Sequence, residues 1–189
     1  MINDISFVFE TNTFIYGKSG TGKTTLLKFL SENFQNYEGL FLINKTINFK
    51  NINLKDYKNK ILYLGQYDYL FDGTVRENIQ QFKNKIDLNL FKDLDFFKLL
   101  EKNNIQVSKT IKDNGINLIK GQRQIINFIS LFFTEKDIYL IDEPLSNVNK
   151  ETAYYLFKLF IKYKKKSLII MCDHDLTYMD FFQKRLEIL

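Results

Sequence analysis

At 189 residues the chain has the size of one globular domain, expected to span 1–189 and to bury about two-thirds of the surface its unfolded form exposes. Its 45% hydrophobic and 26% charged residues exclude a disordered or fibrous protein, and a lone cysteine, Cys172, excludes an intramolecular disulfide framework. The formal charge of +5 comes from scattered lysines, so no nucleic-acid partner is expected. The one dense run, Lys162 with Lys164, Lys165 and Lys166, falls at an expected helix end, where its cations complement the carbonyl pole. Nineteen Phe and eleven Tyr without Trp read as compositional bias rather than a binding adaptation.

In chain order, Phe14-Ile15-Tyr16 reads as a first strand ending at Gly17, followed by a helix from Lys23 to about Phe34. Ile61-Leu62-Tyr63-Leu64 is a second strand, stopping at Gly65-Gln66. From about Asp72 to Ile129 the strand rhythm gives way to a mainly helical segment, read as a lobe appended to the core (approximately 72–129). Within it Leu90, Leu94 and Phe97 form an apolar stripe at helical spacing between Asp87 and Lys102. Ile138–Ile141 is a third strand running into Asp142-Glu143. A helix from Glu151 to Tyr163, with Asn149 as N-cap, precedes the fourth strand, Leu168–Met171, which leads into Cys172-Asp173-His174. Cys172 reads as a small core residue. No stretch reaches the roughly 18 to 20 apolar residues of a membrane helix, and Asn3, Asp4 and Glu10 do not fit a secretory leader. A cytoplasmic chain is expected, with any membrane part on another chain or a removed segment.

Uninterrupted apolar runs are the mark of strands covered on both faces. The fold class is therefore α/β: a mainly parallel sheet flanked by helices, with an inserted helical subdomain. In such sheets ligands bind beyond the carboxyl ends of the strands, where Gly17, Gln66, Asp142 and His174 all fall.

Gly17-Lys18-Ser19-Gly20-Thr21-Gly22-Lys23-Thr24 is a complete phosphate-binding loop, which makes the core a P-loop NTPase. Its glycines let the backbone curl so that several N–H groups face phosphate oxygens, and the helix opening at Lys23 adds its positive pole. Lys23 supplies a point charge to the β- and γ-phosphates, and the Thr24 hydroxyl is placed to ligand Mg²⁺. Asp142 would hold the metal through water, and Glu143 would polarise the attacking water.

These segments resemble the nucleotide-binding domain of an ABC transporter over nearly the whole chain. The resemblance rests on the phosphate loop with Thr25-Leu26-Leu27, on Leu64-Gly65-Gln66 leading to Leu70–Ile79, on Asn114–Gln124, on Leu140–Ser146 and on His174, in that order. The stretch Leu70–Ile79 is most similar to exporters, including peptide and bacteriocin exporters. The resemblance implies ATP as nucleotide and Thr25 among the residues that bind it. It makes Gln66 a sensor of Mg²⁺ and the lytic water, and gives His174 a contact to the γ-phosphate. Gly121 and Gln122, opening a helix, would face the γ-phosphate held by a second nucleotide-binding domain in a homo- or heterodimer. It further implies a transmembrane domain or subunit as partner, ATP hydrolysis as the motor, and a place on the cytoplasmic face of the membrane. Three residues, in two places, depart from the family. Ile119-Lys120 stands where the family has Ser-Gly, so a hydroxyl offered to the partner's nucleotide is missing and turnover there is expected to be slow; Asn149 replaces an aspartate. The family's adenine-stacking aromatic lies upstream of Met1. The competing readings are an ABC ATPase acting on DNA or ribosomes, and a regulatory module that holds ATP without hydrolysing it.

Overall fold

A computed structural model describes residues 6–31, 37–66, 69–80, 91–92 and 94–189. In chain order its elements are β1 (Thr13–Tyr16), α1 (Lys23–Ser31), β2 (Leu42–Ile43), β3 (Ile47–Asn48), α2 (Leu54–Lys60), β4 (Ile61–Leu64), β5 (Gly73–Thr74), α3 (Val75–Gln80), α4 (Phe96–Lys102), β6 (Thr110–Ile111), α5 (Lys120–Ser130), β7 (Ile138–Asp142), α6 (Lys150–Tyr163), β8 (Leu168–Cys172) and β9 (Lys184–Glu187). The chain divides into two units, the first Met1–Leu64, Lys136–Asp142 and Lys166–Leu189, the second Gly65–Glu135 and Glu143–Lys165.

The first unit is built on a five-stranded sheet in the order β4-β7-β8-β1-β9, every pairing parallel. The apolar runs form its strands because both faces are covered: Phe14, Ile15, Tyr139, Ile141, Met171 and Cys172 have no exposed surface. Leu26, Leu27 and Leu30 of α1 pack into the same core cluster as Ile15, Leu140, Ile170 and Cys172. Asn53 caps α2 by accepting from the amides of Lys55 and Asp56. An aromatic series, Phe29, Phe41, Phe49 and Tyr57, packs with ring centroids 4.5–5.4 Å apart. The Tyr57 hydroxyl closes it by donating to the Leu30 carbonyl at 2.6 Å.

In the second unit, α3 opens with a capping box in which Thr74 N donates to Glu77 Oε2 at 2.6 Å and Glu77 N donates back to Thr74 Oγ1 at 3.2 Å. The Thr74 amide, and the Thr74 hydroxyl that also donates to Oε2 at 2.8 Å, hold the Glu77 carboxyl below the usual carboxylate range. Phenylalanines pack together within the unit's core beside aliphatic side chains such as Leu100, Ile126 and Leu156: Phe96 lies 4.9 Å from Phe132, and Phe160 lies 5.3 Å from Phe128 and 5.5 Å from Phe132. Much of the aromatic surplus is therefore packing material, where each ring contributes a large buried area.

Several expected elements change in detail. The first helix is described over Lys23–Ser31, and its expected end near Phe34 lies outside the described residues. Of the stripe assigned to Leu90, Leu94 and Phe97, Leu90 and Asp87 also lie outside them. Phe97 is 39% exposed, while Phe96, Leu99 and Leu100 are buried. Asp95 takes a left-handed conformation (φ 53°) just before α4. Asn149 does cap α6, accepting from Thr152 N at 2.9 Å. Lys164, by contrast, is not a solvated cation of that helix end: it is buried, and its ammonium donates to the carbonyls of Phe132 and Thr134. Its neighbours Lys162, Lys165 and Lys166 stay exposed.

Candidate functional site

The phosphate loop leaves the carboxyl end of β1, the strand flanked by β8 and β9. It passes through left-handed backbone at Gly20 (φ 84°) and Gly22 (φ 101°), conformations that a side chain penalises. Thr21 closes the curl with its hydroxyl on the Lys18 carbonyl at 3.0 Å, and Leu26 N bonds to Gly22 O at 2.9 Å as the helix starts. Lys23 is 8% exposed, and its ammonium donates to the carbonyls of Gly17 at 2.8 Å and Lys18 at 2.7 Å. A buried cation thus sits inside the loop, with its donors on weak, neutral acceptors that phosphate oxygens can replace. Ser19 and Thr25 are exposed, Thr24 half-buried.

Asp142 ends β7. Ile15 pairs with Cys172 and Cys172 with Asp142, so the strand feeding the loop and this carboxylate reach the same level of the sheet, two strand spacings or about 10 Å apart. Asp142 has no exposed surface. Its Oδ1 accepts from Cys172 Sγ at 2.8 Å and its Oδ2 from the Tyr63 hydroxyl at 3.2 Å. Carboxylate and hydroxyl are hard oxygen donors of the kind Mg²⁺ takes, usually one or two from protein and the rest from phosphate and water. Thr24 and Asp142 fit that donor set.

His174 follows β8. It is 67% exposed, with Nδ1 3.5 Å from Oδ1 of Asp173, a carboxylate that is itself buried and accepts from Asp175 N at 2.9 Å.

The remaining expected residues belong to the second unit. Gln66 is exposed, two residues past β4. Glu143 follows Asp142 in the chain and is half-buried with φ 45°, a left-handed conformation costing an ordinary residue about 1–3 kcal/mol, of the kind that collects at functional sites. Gly121 lies in the first turn of α5, so close to the loop that leads into α6 that a Cβ there would meet the Asn147 carbonyl oxygen at 2.4 Å. The Gln122 side chain is turned to its own unit: Oε1 accepts from Ile119 N at 3.2 Å, and Nε2 donates to the carbonyls of Asn103 and Asn104 at 3.1 and 3.2 Å. Ile119 is 71% exposed and has no side-chain acceptor, so Gln122 supplies the only side-chain half of a capping box.

Sequence reasoning assigned no role to Tyr63, to the Cys172 thiol beyond packing, or to Gln124. Gln124 is buried, donates to Ser146 Oγ at 3.1 Å and accepts from Asn147 N at 2.8 Å, tying the loop after Leu145 to α5. The available signal was a polar atom inside an otherwise apolar run, visible at Tyr63 and Cys172 but silent about its partner.

The family model described as ABC transporter matches residues 2–146. The chain is 32% identical to the microcin-J25 export ATP-binding/permease protein McjD of Escherichia coli, over 87% of this chain and 29% of that protein. It is 31% identical to a probable ABC transporter ATP-binding/permease protein of Haemophilus influenzae, over 87% of this chain and 30% of the relative. With the glutathione/L-cysteine transport system protein CydC of the same organism it shares 25% identity over 90% of its length. The chain spans about 30% of the length of these curated relatives. A bacterial Atm1-family ABC exporter, solved with ATP bound, has the same fold, with TM-score 0.81 and 17% identity over 95% of this chain and 32% of that one. A match of this extent, added to the phosphate loop on a parallel sheet, is decisive: the chain belongs to the ABC transporter family.

Proposed function

We propose that the chain is the ATP-binding and ATP-hydrolysing domain of an exporter, closing on a second such domain when ATP binds and driving a transmembrane partner. One observation carries the reading: the buried Lys23 ammonium is wrapped by the phosphate loop at the end of β1, level with the buried Asp142 carboxylate on β7. The resemblance to export proteins that join an ATP-binding portion to a permease supports the partner and the direction. Residues 1–189 act as one such domain, with the segment of about 72–129 as its helical lobe.

The chain's own residues divide the work. The loop amides of Gly17 to Thr25 and the positive pole of α1 hold the triphosphate, and Lys23 shifts its donors from the Gly17 and Lys18 carbonyls to phosphate oxygens. Thr24 and Asp142 hold Mg²⁺, with Gln66 reporting on it; bound there, the ion neutralises charge that builds on the phosphates. Glu143 polarises the attacking water and His174 steadies the γ-phosphate end. Gly121, with no side chain, leaves the first amides of α5 open to the neighbour's nucleotide, while Gln122 braces that turn. Because the exposed Ile119 offers no hydroxyl, the site this face completes turns over more slowly than the one containing Lys23. The chain works on the cytoplasmic face of the membrane through its transmembrane partner; among the described residues no helix is long and apolar enough to cross a membrane itself.

Lys23→Ala tests the reading. Equilibrium binding of a fluorescent ATP analogue should be lost in this variant, and wild-type affinity in it would refute the site.

A further inference from the structure

The carboxylate of Asp142 is held by two side chains that no motif contains. It has no exposed surface, and an ionised carboxylate so placed is costly unless hydrogen bonds replace its water. The replacements come from the strands on either side. Cys172 of β8 is the register partner of Asp142, and its thiol reaches Oδ1 at 2.8 Å. Tyr63 of β4 is the register partner of Leu140, two residues before Asp142 on β7. Residues two apart on a strand share a face, so the Tyr63 ring lies on the face of Asp142 and extends forward until its hydroxyl meets Oδ2 at 3.2 Å.

We infer that Tyr63 and Cys172 are positioning residues for the metal: between them they fix the orientation of the Asp142 carboxylate toward a nucleotide-bound divalent cation. Each takes one lone pair of one oxygen. A carboxylate has about four acceptor sites, so the pair pins the plane of the group and still leaves it able to accept from the ion or its waters. Removing one donor lets the plane rotate while the charge stays in place. The loss falls on metal affinity, as it does for other partners of metal ligands, and not on the triphosphate contacts made by the loop. The inference rests on the proposed reading of the loop and Asp142 as a metal–nucleotide site.

The test uses the full chain and Mn²⁺ as probe. Free Mn²⁺ is followed by its electron paramagnetic resonance signal during titration in the presence of a non-hydrolysable ATP analogue. Affinity for the analogue alone is measured in EDTA. Tyr63→Phe removes one hydroxyl and keeps the ring, and Cys172→Ala removes the thiol. Each should weaken Mn²⁺ binding by about tenfold or more, and Cys172→Ser, which keeps a donor, should stay within about threefold of wild type. Metal-free affinity for the analogue should not change. Mn²⁺ affinity within about twofold of wild type in Tyr63→Phe would overturn the inference, as would an equal loss of metal-free nucleotide binding. If the wild-type chain itself holds the analogue but takes up no Mn²⁺, the metal–nucleotide reading fails and this inference with it.

Discussion

The close approach at Gly121 sets up a quantitative test. Substituting Ala places a Cβ 2.4 Å from the Asn147 carbonyl oxygen and 3.3 Å from its carbon, whereas ordinary contacts lie at about 3.5–4.0 Å. Either the loop Ser146–Val148 or the first turn of α5 must move by about 1 Å, and neither is free to do so. Gln124 binds that loop through Ser146 and Asn147, and Val148 N is already bonded to Leu145 O at 3.0 Å. Overpacking of this kind costs about 1–3 kcal/mol. For a chain of 189 residues that lowers the melting temperature by about 2–12 °C, at about 2–4 °C per kcal/mol. Gln124→Ala cuts the tie and should itself cost about 1–3 kcal/mol. With the loop released, the added methyl meets less resistance, so the double variant should lose less than the sum of the two single losses, by about 0.5 kcal/mol or more. Melting followed by circular dichroism on the four proteins gives the answer. A Gly121→Ala midpoint equal to that of wild type, or strict additivity in the cycle, would show that the contact yields freely and that the glycine is not a steric requirement.

Three further outcomes are expected. Lys164→Met keeps the buried stem but takes the ammonium from the carbonyls of Phe132 and Thr134, and should cost about 1–3 kcal/mol, whereas the exposed Lys165→Met should change stability by less than about 0.5 kcal/mol; equal melting temperatures would contradict the buried role. Burial pushes the Tyr57 hydroxyl up from its ordinary value near 10. Its stabilising contribution is therefore fully present below about pH 10 and is lost as pH rises through the folded-state value. Tyr57→Phe should accordingly cost about 1 kcal/mol at pH 8, with the gap to wild type closing in strong alkali, and a gap that widens there would have the wrong sign. Glu143→Gln should accumulate as an ATP-stabilised dimer in size-exclusion chromatography, alone or with a partner chain that carries an intact signature helix. A monomer under both conditions would count against closure on ATP.

The strands at the centre of the sheet were legible because burial on both faces leaves an unmistakable apolar run, as in Leu140-Ile141 or Ile169-Ile170-Met171. β9 was not, since Lys184-Arg185-Leu186-Glu187 alternates half-buried and exposed positions at the edge of the sheet, and charged side chains conceal the strand. The hairpin of β2 and β3 has two residues per strand, too few for any period to show. The phosphate loop could be read because its chemistry is contiguous. What surrounds Asp142 could not: Tyr63 lies 79 residues away and Cys172 30, and nothing local to either announces a meeting that only the sheet register brings about. Lys164 misled for a related reason. A lysine after a helix looks solvated until the carbonyls of Phe132 and Thr134, some thirty residues upstream, come within its reach.

The place of β1 also bears on how the protein is made. Thr13–Tyr16 is hydrogen-bonded on one side to Leu168–Cys172 and on the other to Lys184–Glu187, so the strand that carries the phosphate loop has no sheet neighbours until those distant residues have been synthesised. At about 5–20 residues per second, the intervening stretch of roughly 150 residues leaves the nascent loop without its scaffold for about 8–30 seconds. Nucleotide competence thus has to wait for strands far along the emerging polypeptide, and a stop shortly before Lys184 would leave a product already carrying the whole phosphate loop but only one of the two strands that flank β1.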